Sequence, residues 1–211
     1  MSLPPALGPL TDLPALLEVL RALGPAERTL PGLAALARRV QLCPGGLAAL
    51  RCPDPTKPYG RRVLFADPHV ECMVATWTEG SRCAVHDHGG ASGVIRVLEG
   101  EGENLLYQID GRLRLVAEQR TAEGEVLSVG ARALHAMGCR SARGQPSLMT
   151  LHLYTPTIPH MIVYDSDETL IVDGGCGAWV PTDRPDWVKA RRPGHWSRAA
   201  LEADGIFQTI G

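Results

Sequence analysis

The sequence predicts a mainly β protein: a barrel or sandwich of short strands behind N-terminal α-helices. Three observations predict it. Residues 11–50 carry leucines at helical spacing, whereas from Arg61 to Thr155 short apolar runs alternate with turn residues. Aromatic residues are only 5% of the chain, against 23 Gly and 17 Pro, so many turns are expected rather than a large aromatic core. The 211 residues suit a single domain. It divides into a helical extension (1–50), a barrel core (55–165) and a turn-rich C-terminal extension (166–211).

The first helix follows Thr11 or Asp12, either of which can cap it, and carries Leu13, Leu16, Leu17 and Leu20 on one face. A second pattern runs from Leu30 to Leu50, with Leu33, Leu36 and Val40 on one stripe. Pro25 and the Pro44-Gly45-Gly46 cluster are expected to break these helices. Cys52 to Pro58 is a loop. The strand candidates are RRVLFA, VECMVATW, GVIRVLEG, ENLLYQI, RLRLVAEQR, GEVLSVG and SLMTLHLYT. Asp110-Gly111 joins two of them as a hairpin. Beyond residue 165, one or two more strands and a short final helix are expected.

Composition excludes several function classes. There are 21 Lys+Arg against 23 Asp+Glu, a net charge of −2, which lacks the basic excess that nucleic acid requires. No apolar run is long enough to span a membrane. The N-terminus, MSLPPALGPL, does not read as a signal peptide. Cys43, Cys52, Cys72, Cys83, Cys139 and Cys176 form no C-x-x-C pair, so reduced thiols in the cytoplasm are expected.

Histidine carries the chemistry. His86-Asp87-His88 places two imidazoles on one face if the segment is a strand, near enough for one metal ion. From Gly80 to Gly100 the frame is G-x5-H-x-H-x4-(Gly93)-x6-G. It resembles the first motif of the cupin superfamily, with Gly93 where that superfamily usually has a metal-binding Glu. Gly124 to Cys139 fits the spacing of the second motif, with His135 in its histidine position. Gly130, Arg132 and Cys139 replace that motif's Pro, Gly and Asn. Three neutral imidazoles leave the full charge on a bound dication, which favours an anionic donor such as a substrate thiolate. Zinc is also compatible with three histidines.

Thr150, His152 and Tyr154 alternate in MTLHLYTP and share a face on a strand. A hydroxyl, an imidazole and a phenol in line can form a hydrogen-bonded chain that orients the phenol. Separately satisfied polar groups on a half-exposed strand are the plainer alternative.

Together, TWTEGSRCAVHDHGGASGVIRVLEGEG, the His135 region, LHLYTPT and the Tyr59-Gly60-Arg61 step resemble the cysteine dioxygenase family of cupin thiol dioxygenases. The resemblance spans roughly residues 55 to 165. It implies a cupin barrel, or jelly roll, with Fe(II) held by His86, His88 and His135. It implies Arg61 on the substrate carboxylate, positioned by Tyr59, and Tyr154 near the reacting groups, held by His152. Trp77 and Thr150 would support the site from behind, and Met161 would line the pocket. Arg62, next to Arg61 on a strand, would face the other way. Some family members have a Cys at the position of Gly93, linked to the tyrosine; Gly93 leaves Tyr154 unmodified.

The implied activity is addition of O2 to the sulfur of a small thiol, with L-cysteine favoured because relatives acting on 3-mercaptopropionate carry Gln in place of the arginine. A different thiol-carboxylate (3-mercaptopropionate, mercaptosuccinate) and a non-enzymatic metal- or ligand-binding cupin are the alternatives. The expected partners are the thiol and O2, with oligomeric state open. His69 and His160 are read as loop residues, His195 as exposed, and Cys83 and Cys139 as small buried apolar groups.

Overall fold

In the computed structural model, residues 8–141, 147–164 and 168–193 are described. The described residues are mainly β, 45% strand against 17% helix. Asp12 caps α1 (Leu13–Ala22), its Oδ1 accepting from the Ala15 N–H at 2.9 Å. Thr29 caps α2 (Leu30–Arg39), and Arg38 and Arg39 complement the dipole at its last turn. Pro44-Gly45-Gly46 does not simply interrupt the helical pattern: Pro44 opens α3 (Pro44–Leu50). Proline at the first helical position lacks only an N–H that would have no helical partner.

Among the described residues twelve strands follow: β1 (Tyr59–Ala66), β2 (Glu71–Trp77), β3 (Val85–His86), β4 (Ser92–Glu99), β5 (Glu101–Ile109), β6 (Leu113–Ala122), β7 (Val126–Val129), β8 (Leu134–Cys139), β9 (Met149–Thr155), β10 (His160–Tyr164), β11 (Glu168–Asp173) and β12 (Val188–Pro193). One sheet has the order β1-β2-β9-β4-β7 and the other β12-β11-β10-β3-β8-β5-β6. This is the double-sheet arrangement of a cupin barrel. Gly111, at φ 66°, turns the β5–β6 hairpin as its Asp-Gly sequence requires.

Strand alternation divides the five-stranded sheet between two cores. Met73, Ala75 and Trp77 of β2, Ile95 and Val97 of β4 and Tyr154 of β9 face the barrel interior with Val163, Met161 and Met137. Cys72, Val74, Val94, Leu151 and Leu153 face outward and are covered by Leu16, Leu20, Leu33, Leu36 and Val40 of the helical segment. Both faces of these strands are therefore buried, and β2, whose faces are both largely apolar, reads as a nearly continuous apolar run.

β3, β8 and β10 are absent from the expected strands. β3 has two residues. β8 is buried throughout, so it shows no alternation. His160 opens β10 and is not in a loop. Past residue 165, β11 and β12 are present; the expected final helix and His195 lie outside the described residues.

Candidate metal centre and substrate pocket

His86 closes the short strand β3, which is flanked by two others. β3 pairs with β10 at Val163 and with β8 at His135, so His86 and His135 stand directly opposite each other. His88 arrives differently from the sequence expectation. It lies beyond the strand, in a turn that continues through Gly89 and Gly90 at φ 59° and 91°. Asp87 builds that turn: its Oδ1 accepts from the Gly89 and Ile162 N–H groups, both at 3.0 Å. The two imidazoles thus converge through turn geometry rather than through strand alternation.

The donor set fits a metal ion. One ligand atom from each of His86, His88 and His135 lies within 4.8 Å of the others. Nδ1 of His86 faces the Ala84 carbonyl at 3.0 Å, and Nδ1 of His135 faces Asn104 Oδ1 at 2.8 Å. An oxygen acceptor there holds the proton on Nδ1 and leaves Nε2 with its lone pair inward. His88 Nε2 lies 3.3 Å from His135 Nε2. That spacing suits two nitrogens bound to one ion through bonds of about 2.0–2.1 Å. Burial drives all three imidazoles toward the neutral form that metal binding needs, His86 down to about 4 and the other two well below their usual range.

Among the described residues, no carboxylate joins the three imidazoles in that group. Gly93 of β4 lies opposite Tyr154 of β9, and a Cβ on Gly93 would meet Tyr154 Cε1 at 2.7 Å. The tyrosine ring occupies the space that a side chain at 93 would need. Its centroid lies 4.8 Å from that of His88.

The polar row on β9 forms one continuous chain. Trp77 Nε1–H donates to Thr150 Oγ1 at 2.9 Å; Thr150 Oγ1 lies 2.8 Å from His152 Nε2; His152 Nδ1 lies 2.9 Å from the Tyr154 hydroxyl. Indole can only donate, so Thr150 accepts there, and one arrangement satisfies every member of the chain. Thr150 accepts from Trp77 and directs its own proton to His152 Nε2. His152 then donates from Nδ1 to Tyr154, leaving the phenol's own proton to point into the site. Burial raises the Tyr154 phenol well above its usual range, so it remains a donor at neutral pH. Trp77, expected behind the site, is 3% exposed and starts the chain.

His152 is itself a pH-sensitive element. Burial lowers it from 6.5 to about 3. Between those values the unfolded chain takes up a proton that the folded one refuses, so stability is lost as pH falls from 6.5 toward 3. His152→Gln in metal-free protein is expected to flatten this acid limb in a plot of Tm against pH. An unaltered limb would show that His152 does not contribute.

Arg61 points along the inner face of β1. Its Nη2 pairs with Glu71, Nε–H donates to Met73 Sδ at 2.9 Å, and Nη1 donates to the Gly175 carbonyl at 3.2 Å. Arg62 turns the other way and donates to the Ala49 carbonyl at 2.8 Å. The Tyr59 hydroxyl accepts from the Ala178 N–H at 2.9 Å, and its ring packs between Trp77 and Trp179. Tyr59 thus fastens the 174–178 loop, which in turn supplies the carbonyl that Arg61 holds. Met161 is buried in the same core as Tyr59 and Tyr154. His69 sits in a loop, its N–H on Asp67. Cys83 accepts from the Met137 N–H, and burial pushes its thiol up to about 12, so it remains an uncharged packing group; Cys139 is likewise buried.

Asn104, Glu71 and Asp87 escaped the sequence reading. The available signal was a polar residue at an inward position of an apolar run, as Asn104 is in ENLLYQI.

Residues 53–167 match the family described as cysteine dioxygenase type I. Among solved structures, KdgF from Halomonas sp. is 17% identical over 49% of this chain and 83% of its own, with a TM-score of 0.39. A conserved protein with a double-stranded β-helix domain from Klebsiella pneumoniae is 15% identical over 57% of this chain and 95% of its own, at 0.45. TT1209 from Thermus thermophilus is 23% identical over 52% of this chain and 93% of its own, at 0.41.

Proposed function

The chain belongs to the cysteine dioxygenase type I family, and on that premise we propose that it oxidises L-cysteine to cysteine sulfinate with both atoms of O2. The observation that carries this reading is the convergence of three buried imidazoles beside a phenol donor, with an arginine close enough to influence His152 and Tyr154 electrostatically. Fe(II) held by His86, His88 and His135 would supply a binding site for the thiolate and the electrons that activate O2.

The chain's own residues do the rest. Arg61 takes the substrate carboxylate through the N–H groups not given to Glu71, Met73 and Gly175, and a planar fork suits a carboxylate. Tyr59 steadies the loop behind Arg61, and Met161 walls the pocket. Tyr154, held by His152, Thr150 and Trp77, donates a hydrogen bond toward the reacting groups. The buried surroundings exclude water, so each of these contacts is stronger than it would be in solvent. The reaction balances without a further reductant: a thiolate and O2 give a sulfinate. The free cysteines favour a reducing compartment, and the cytoplasm is the location we assign. Among the described residues, no helix is long and apolar enough to cross a membrane.

Oxygen consumption by the iron-loaded protein with a panel of thiols tests the proposal. Uptake with L-cysteine, matched by sulfinate formation, is the expected result. Uptake with 3-mercaptopropionate or mercaptosuccinate alone would remove cysteine and keep the chemistry. No uptake with any thiol, in protein with full iron content, would leave a metal-binding cupin without this activity.

A further inference from the structure

Glu71 is a buried acid beside the proposed site that the proposed reaction does not use. It stands on β2 opposite Tyr154 of β9, on the inward-facing side. Its side chain is 5% exposed and that of its partner Arg61 is 13% exposed. The Ile158 N–H also donates to the carboxylate, and burial still raises its pKa against the pull of Arg61. A guanidinium carries one N–H on Nε and two on each terminal nitrogen. Glu71, Met73 and Gly175 engage one on each nitrogen. One N–H therefore remains on each terminal nitrogen, enough to serve one further carboxylate.

The charge count leads the same way. Arg61 and Glu71 cancel, so the carboxylate end of the pocket is not a free cation. One incoming carboxylate forms a carboxylate–guanidinium–carboxylate row. A second one finds no unused fork on Arg61 and the Glu71 anion close by, in surroundings that screen repulsion poorly. We propose that Glu71 is a specificity-determining residue: by pairing with Arg61 it admits thiols with one carboxylate and turns away those with two. This rests on the thiol-oxidising reading above and sharpens its substrate class.

Glu71→Gln tests it, because the amide keeps the shape and can still accept from Arg61 and Ile158. The iron-loaded protein is titrated anaerobically by calorimetry with L-cysteine, 3-mercaptopropionate and mercaptosuccinate, which reads binding without turnover. In Glu71→Gln, mercaptosuccinate is expected to bind about tenfold tighter relative to the two monocarboxylates. Glu71→Asp, which keeps the charge, is expected to retain the wild-type ranking. If Glu71→Gln gives no cooperative melt, Glu71→Asn carries the same expectation. Equal selectivity ratios in wild type and a folded neutral variant would overturn the role of Glu71 alone. Failure of the wild type to bind or oxidise any of the three thiols would overturn the thiol-oxidising reading, and this inference with it.

Discussion

Replacing His135 with alanine is expected to leave a folded protein that retains neither ferrous ion nor zinc through dialysis and consumes no O2 with any thiol. His135 is 1% exposed, sits opposite His86 across the β3–β8 pair, and directs Nε2 toward His88 Nε2 at 3.3 Å. Without it two imidazoles remain, and no carboxylate in the group replaces the third. Asn104→Ala provides a graded companion. It leaves every nitrogen ligand in place but removes the acceptor that holds His135 in its Nδ1–H form at 2.8 Å. Loss of such a partner typically weakens metal binding by about 10–100-fold. Metal content by elemental analysis and a competition titration distinguish the two variants. Stoichiometric metal in His135→Ala would mean that the ion is held elsewhere.

Arg61→Ala is expected to lower kcat/KM for L-cysteine by about a hundredfold or more while iron content stays at the wild-type level. The imidazoles do not depend on Arg61, so a fall in iron would point to general disruption. The variant also carries a stability cost, because Glu71 would keep its burial and lose its counter-charge. Breaking a buried pair on one side costs about 3–5 kcal/mol, and both partners here are mostly out of solvent. The double variant Arg61→Ala, Glu71→Gln is therefore expected to regain most of the Tm and none of the turnover. Denaturant melts and steady-state oxygen uptake, run in parallel, separate the two effects. Wild-type kinetics in Arg61→Ala would rule out the carboxylate role.

The histidine triad and the β9 row are legible in the sequence because motif spacing survives where motif identity does not. His135 stands at its expected distance from Gly124 although Gly130, Arg132 and Cys139 occupy the motif's other positions. The strands missed were those lacking a periodic signal: β3 is too short, and β8 and β10 are buried on both faces. The supporting polar residues were hidden for another reason. Asn104 and Glu71 each act on a residue of the neighbouring strand, His135 and Arg61, and only strand pairing brings them together. No local pattern records such a pairing. The Gly93 position illustrates the converse. Its lack of a side chain is plain in the sequence, but the tyrosine ring filling the space is visible only once β4 and β9 are paired.

The division of β9 between two cores ties distant parts of the chain to the chemistry. Thr150, His152 and Tyr154 form the polar row on one side, while Met149, Leu151 and Leu153 point the other way and rest against the helices. The helical segment is therefore the rear wall of the proposed site, acting on it through the strands between them. An enlarged or polar side chain at Leu33 or Leu36 would press on the back of the strand that aims the phenol, so a lesion on the outside of the barrel would be felt as a catalytic one.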